Sequence, residues 1–535
     1  MSEEKTVFVR KTTGLVRELT VWDSILYSVA GGSGLGLLFV LLFLCLYPGA
    51  DPILASLITI ILILPYLFCY AFLISSMPRS GGDYIFISRI IHPLFGSIAG
   101  ISALIVGAIF FALSLNWVST MGLSMALSTM GLITNSPSLI SWGALMYDPK
   151  WIMFIGTIFW TVAVALSMLG TKRSFRVFNV IITIAIISLF ITFLLCAVNS
   201  RATFISRFNG YSSSITGDPD YYHTVIERAN TLGYDSAAKF SWQNTVLFIP
   251  WLCLSFLTLQ TFNVLAGEIK NIRKNSFIGL IGGLVVFGGL GTGVLWQVLR
   301  VGGYEFINSI SYVFLAGDYP FKVPAYFPFF VSMLTDNVLL LAIINFGFMC
   351  WVLYMPWLNL TMCSRYAFAL AFDRVLPAKM AHVSDKYHTP TYTILFISIV
   401  AYIIFLLYTG PLYSLLGVLS VSVVLIGFIY VFVALSAIKF PFGKTKKIYE
   451  LSPIKYEIGP VPVISILGAF TLGFMVFLLY LLLKYDVYAC NSTLSLSFLG
   501  ALAVFSVVYY YAMRAYRKKK EDIDIDLAFE ELPSV

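Results

Sequence analysis

The stretch Tyr27-Ser28-Val29-Ala30-Gly31-Gly32-Ser33-Gly34-Leu35-Gly36 puts four glycines and two serines in the middle of an apolar segment. Each glycine weakens a helix by about 1 kcal/mol relative to alanine, so a cluster lets the helix unwind. An unwound turn exposes N–H groups at the start of the next half-helix, where the dipole is positive. An anion such as a carboxylate can be held there without any charged side chain. Carbonyls freed at the end of the preceding half can accept from an ammonium. A second reading fits the same residues, because Gly32 and Gly36 have the spacing of a close helix–helix contact. The segment from Leu254 to Asn263 favours the first reading. There Thr258, Gln260, Thr261 and Asn263 interrupt another apolar helix. Two interrupted helices at corresponding places of a repeat are the mark of a solute site at the bilayer midplane.

Other chemistries find no support in the residues. The sequence has no HExxH and no Gly-Lys-Ser/Thr phosphate loop. None of His92, His223, His382 and His388 lies mid-span, and no pair has metal-ligand spacing, so no metal site is expected. Ser80-Gly81-Gly82-Asp83 is reminiscent of intramembrane aspartyl proteases, but those need Gly-x-Gly-Asp and a second membrane aspartate. Six of the seven cysteines fall in apolar spans, Cys490 alone is expected on the outer side, and no CxxC occurs. They read as small packing residues rather than a disulfide framework or zinc site. Asn491-Ser492-Thr493 fits a glycosylation triplet.

The elements that must position these residues follow from composition. Of 535 residues, 59% are hydrophobic and 11% charged, and mean hydropathy is +0.89. Soluble proteins carry about 25% charged residues, so this is an integral membrane protein and soluble enzymes are excluded. A helical span needs about 20 apolar residues. Uncharged stretches at 24–50, 52–78, 90–147, 151–171, 177–200, 240–267, 275–299, 323–364 (broken only by Asp336), 387–438 (two spans), 459–483 and 487–513 give about twelve helices. Alternating barrel strands are absent. With a cytosolic N-terminus, 26 of the 34 Lys and Arg fall on the cytosolic side. That bias predicts cytosolic N- and C-termini and an even number of spans. The net charge of +8 follows from this basic face, which meets anionic lipid, and needs no nucleic-acid partner.

Four stretches carry a family likeness. They are Gly32-Ser33-Gly34; Met77-Pro78-Arg79-Ser80-Gly81-Gly82-Asp83-Tyr84 with His92-Pro93 and Gly96; Gly267-Glu268-Ile269-Lys270-Asn271; and Ser364-Arg365 through Asp373-Arg374-Val375-Leu376-Pro377 to Thr389-Pro390. Together they resemble an amino acid permease of the amino acid–polyamine–organocation superfamily, across most of residues 20–440. The resemblance implies an all-α LeuT-type fold: a 5+5 inverted repeat plus two C-terminal helices. The implied divisions are a cytosolic segment 1–23, a first repeat 24–200, an outer loop 201–240, a second repeat 241–438, a cytosolic loop with two spans 439–515, and a tail 516–535. The tail, basic and then acidic from Lys518, reads as disordered.

By position, the resemblance assigns the substrate carboxylate to N–H groups of Gly32, Ser33 and Gly34 and to the Ser33 hydroxyl. Carbonyls of Ala30, Leu254 and Leu257 take the amino group. Phe256 or Leu254 forms part of a gate, and Thr258 stands where the family has glycine. Gln260 stands where the family is often acidic. Arg79, Asp83, Glu268 and the Lys270 region, with Asp23 on the same rim, form either a cytosolic ion-pair network that breaks on opening or ordinary interfacial anchors. The fifth span lacks the lysine that serves proton coupling in some members. Asn359, Thr361 and Ser364 stand near a sodium position without forming the expected hydroxyl pair. Proton coupling through Asp23 or Glu268, sodium coupling and uncoupled exchange therefore stay open. No cofactor is expected and no enzymatic activity. The spans carry no mid-membrane charge, which favours neutral amino acids over charged ones. The expected function is a secondary amino-acid transporter of the cell membrane. The alternatives are a carrier of another amine-bearing solute such as a polyamine, or a non-transporting sensor built on the same fold.

Overall fold

The computed structural model describes residues 14–32, 34–410, 418–523 and 525–529. Among the described residues the fold is all-α apart from one small hairpin, pairing Glu457 with Pro462 and Ile458 with Val461, and an isolated bridge between Leu19 and Ile269. Among the described residues, ten helices are long and apolar enough to cross a membrane, and an eleventh counts if the pair Val423–Lys439 and Gly443–Glu450, bent by 61°, is one span. The first span is split into Val21–Gly31 and Gly34–Phe43, neither half long enough alone.

Cap residues set where several spans begin. Asp51 precedes Pro52–Ser76 and accepts from the N–H groups of Ile53 and Leu54 at 2.9 and 3.0 Å. His92 precedes Pro93 and accepts from Leu94 N–H at 3.1 Å. Asp148 precedes Pro149–Met168 and accepts from Lys150 N–H at 2.8 Å. A polar cap followed by proline suits a helix start, since proline lacks only an N–H that would be orphaned there.

Two long spans carry π-helical turns: Pro93–Ile133 at Val118–Leu123 and Ile272–Gly302 at Leu284–Gly289. The Ser/Thr/Gly-rich stretch after span three turns back as Pro137–Leu145, packed so closely on its predecessor that a Cβ on Gly143 would lie 2.1 Å from Ser128 Oγ.

Four expectations change. Span eight runs over Val338–Phe372 rather than from 323. Asn337 caps it by accepting from Leu340 N–H at 3.0 Å, and a separate short helix, Phe327–Ser332, takes the apolar residues before Asp336. Its far end includes Arg365, which was expected in a loop but is buried inside the helix. The segment after 200, expected as a loop, forms two helices, Arg201–Thr216 and Tyr221–Thr231. They bury Phe204, Phe208, Tyr222, Val225 and Ala229, with Tyr222 stacked on Phe306 at 4.3 Å. Nor does the chain fray at Lys518. The last span continues to Glu521, and Ile525–Phe529 folds back so that Phe529 meets Tyr84 at 6.3 Å and the Arg89 guanidinium at 5.1 Å. Tyr510 and Arg514 hold Asp526 there, which a charge pattern alone does not reveal.

Candidate functional site

The two glycine- and hydroxyl-rich segments meet at the centre of the bundle. Span one starts with a capping box, in which Thr20 N–H and Oγ donate to Asp23 Oδ2 at 2.6 and 2.7 Å. Asn179 Nδ2 on span five donates to Asp23 Oδ1 at 2.6 Å. Asp23 is thus a cap and a strut at the rim. The helix stops at Gly32, and a new helix opens at Gly34. Ser33 lies outside the described residues.

Span six is α-helical over Trp242–Phe256 and then tightens to a 3-10 helix over Leu257–Glu268. Runs of 3-10 helix beyond 3–4 residues are uncommon, because the hydrogen bonds are poorly aligned. Here side chains supply part of the bonding. Thr258 Oγ lies 3.2 and 3.0 Å from the carbonyls of Leu254 and Ser255. Thr261 Oγ donates to the Thr258 carbonyl.

Glycine is what lets the spans touch. A Cβ on Gly31 would lie 2.4 Å from the Thr258 carbonyl, and one on Gly36 would lie 1.6 Å from Ser255 Oγ. A Cβ on Gly32 would lie 2.9 Å from the Phe287 ring. Ser28 Oγ donates to the Leu259 carbonyl at 2.8 Å across the crossing. Two carbonyls at the breaks are covered by phenols. Tyr354 OH donates to Ala30 O, and Tyr66 OH donates to Leu257 O at 3.0 Å.

Aromatic rings wall this crossing. Phe256 is buried and meets Phe287 at 5.9 Å, whereas Leu254 is about a third exposed. Phe287 sits in the π-turn of span seven and meets Trp351 at 5.9 Å. Tyr27, Phe175, Phe178, Tyr354 and Trp357 pack below it.

Polar groups concentrate where span six ends. Glu268 is buried and accepts from Arg365 Nε at 2.9 Å, Arg365 Nη2 at 3.0 Å and Thr171 Oγ at 2.6 Å. Arg89 pairs with Asp373 at 2.7 Å, and Tyr84 OH donates to the same carboxylate at 2.6 Å. Asp83 accepts from Tyr70 OH and Asn263 Nδ2 on Oδ1, at 2.6 and 2.9 Å, and from Tyr366 OH on Oδ2 at 2.9 Å. Burial raises its pKa above the ordinary carboxylate range, against the pull of these three donors. Arg79 Nη1 donates to Pro78 O at 3.1 Å. Burial, followed by repulsion from Arg17 and Arg89, lowers its pKa to about 10. Gln260 Nε2 donates to Tyr430 OH at 3.0 Å. Asn359 Nδ2 donates to the Met355 carbonyl of its own helix at 3.0 Å.

The expected network of Arg79, Asp83, Glu268 and Lys270 is therefore regrouped. Glu268 takes Arg365, and Asp83 takes neutral partners. Sequence reasoning passed over Arg365, Arg89 and Asp373 because they sit in polar stretches that read as loops. It also passed over Tyr66, Tyr70, Tyr366 and Tyr430. Tyr66 and Tyr70 are four residues apart, hence on one helix face, which was the available signal.

Residues 19–512 match the amino acid permease family. The chain belongs to that family. No curated protein matches it. The match takes in both helix breaks, the charged rim and most of the twelve expected spans. The permease is a multi-pass membrane transporter of the amino acid–polyamine–organocation type.

Proposed function

We propose that this permease carries neutral amino acids across the cell membrane by alternating access, with both termini cytosolic. The supporting observation is the crossing of two broken helices, span one at Gly32 and span six at Leu257. Broken helices facing each other offer both halves of a zwitterion site. The N-terminus of Gly34–Phe43 suits the carboxylate, and the carbonyls of Ala30, Leu254 and Leu257 suit the ammonium. Ala30 and Leu257 now accept from Tyr354 and Tyr66, so an entering ammonium takes over from the two phenols. Phe256, Phe287 and Trp351 favour an apolar or aromatic side chain. Residues 24–200 and 241–438 would serve as the inverted repeats. The Glu268–Arg365 pair would hold the cytosolic side shut.

A polyamine has no carboxylate for the start of Gly34–Phe43, which places it second. The test is counterflow in proteoliposomes preloaded with a mixture of neutral amino acids. Labelled amino acid should enter, and Gly32→Leu should abolish entry while the protein still purifies as a folded species. Absence of flux for every amino acid refutes the reading, as does intact flux in Gly32→Leu.

A further inference from the structure

Asp83 is a buried carboxylate held by neutral partners. It opens the short helix Asp83–Ile90 between spans two and three. Span two presents Tyr66 and Tyr70, span six Asn263, span eight Tyr366 and span ten Tyr430. Span three presents Gly96 and Gly100 to the same helix. Arg89, further along it, and Tyr84 are both engaged with Asp373. Lys444, on the neighbouring Gly443–Thr445 turn, is exposed. Phe529 covers Tyr84, and Asp526 is taken by Tyr510 and Arg514. None of the three groups that bond Asp83 is a cation. A buried charge without a counter-charge is costly, and the usual remedy is to bind a proton.

The partners suit either protonation state. Phenol oxygens accept as well as donate, and an amide can turn over. Asn263 Oδ1 is buried and has no hydrogen-bond partner. Turning that amide would present Oδ1 to a protonated Asp83. The approach depends on Gly82, at φ 52°, where a Cβ would lie 2.5 Å from Asn263 Oδ1.

The same pocket touches the part of span six that must move. Asn263 and Gln260 lie in its 3-10 segment, and Tyr66, beside Tyr70 at 4.9 Å, covers the Leu257 carbonyl. We infer that Asp83 is a proton-binding site of this carrier, and that a proton taken up there accompanies amino-acid movement. This rests on the transport reading above. When span six withdraws, Asn263 leaves Asp83. A charged carboxylate then loses one of its three donors without replacement, whereas a neutral carboxyl can turn its proton to a phenol oxygen instead. Span six is released when Asp83 is protonated. The proton adds to an Asp83 carboxylate oxygen from water on one side and returns to water on the other. No other bond is made or broken.

The experiment uses the full-length permease in proteoliposomes with labelled neutral amino acids, first in counterflow and then under an imposed pH gradient without preloading. The wild type should accumulate amino acid when the outside is acidic. Asp83→Asn, which mimics the neutral form, should show counterflow at a rate that does not vary with pH and no accumulation. Tyr366→Phe removes one donor from the charged form, so the pH midpoint of wild-type counterflow should move up by about one unit. Counterflow without accumulation in the wild type overturns the proton inference and leaves the transport reading intact. Accumulation by Asp83→Asn overturns it as well. Should that variant fail to fold, an unmoved midpoint in Tyr366→Phe overturns it. No counterflow in the wild type removes both readings.

Discussion

Replacing Glu268 by glutamine tests the gate most directly. The carboxylate is 1% exposed and the Arg365 side chain 3%. Three donors converge on it, two from one guanidinium. Breaking a buried pair by neutralising one partner costs about 3–5 kcal/mol, because the other charge stays buried. Glutamine keeps one acceptor, which places the loss near the lower end. If the pair exists only in the closed form, about 3 kcal/mol moves the open-to-closed ratio by about 150-fold. The assay is the labelling rate of a thiol in Ser80→Cys by a water-soluble reagent. Ser80 is buried, 2.8 Å from where a Gly267 Cβ would sit, and the seven native cysteines are buried. Labelling should speed up by about two orders of magnitude in Glu268→Gln. Arg365→Met should do the same, and the double variant should fall well short of the sum, since it leaves no orphan charge. Unchanged labelling in Glu268→Gln, or strict additivity, refutes the gate role.

Three further outcomes are expected. Gly36→Ala should abolish counterflow, since its Cβ would lie 1.6 Å from Ser255 Oγ, and adding Ser255→Gly should restore it; failure of the second change to rescue counts against the close-crossing account. Tyr66→Phe frees the Leu257 carbonyl from a competing hydroxyl, so amino-acid affinity measured by calorimetry should rise about fivefold, from about 1 kcal/mol. Asp83 has a raised folded pKa, so the native state holds its proton to higher pH than the unfolded chain does. Its contribution to stability is full below the ordinary carboxylate range and is lost as pH rises through the raised value. Melting profiles against pH should therefore fall more steeply for wild type than for Asp83→Asn, and parallel profiles would contradict the shift.

The amino-acid sequence by itself determined the class of protein. Too few charges for a soluble surface leave only a membrane to cover the apolar helices, and that argument needs no coordinates. The same holds for the two breaks. Gly31, Gly32, Gly34 and Gly36 weaken one helix, and Thr258 and Thr261 offer alternative hydrogen bonds in the other. Both are local properties, legible from residues in a row. Partners across the bundle were another matter. Glu268 is 97 residues from Arg365, and Asp83 is 180 from Asn263 and 283 from Tyr366. Nothing in their local sequence names the other member, and several cations near Glu268 were equally plausible by spacing. Tertiary packing chose Arg365 because span eight runs past the point where its polar residues suggest a loop. Packing likewise surrounded Asp83 with phenols and an amide, because spans two, six, eight and ten converge there. Hydropathy and glycine act within one helix, so a sequence displays them. Which charge meets which depends on how the helices cross, and only the assembled fold decides that.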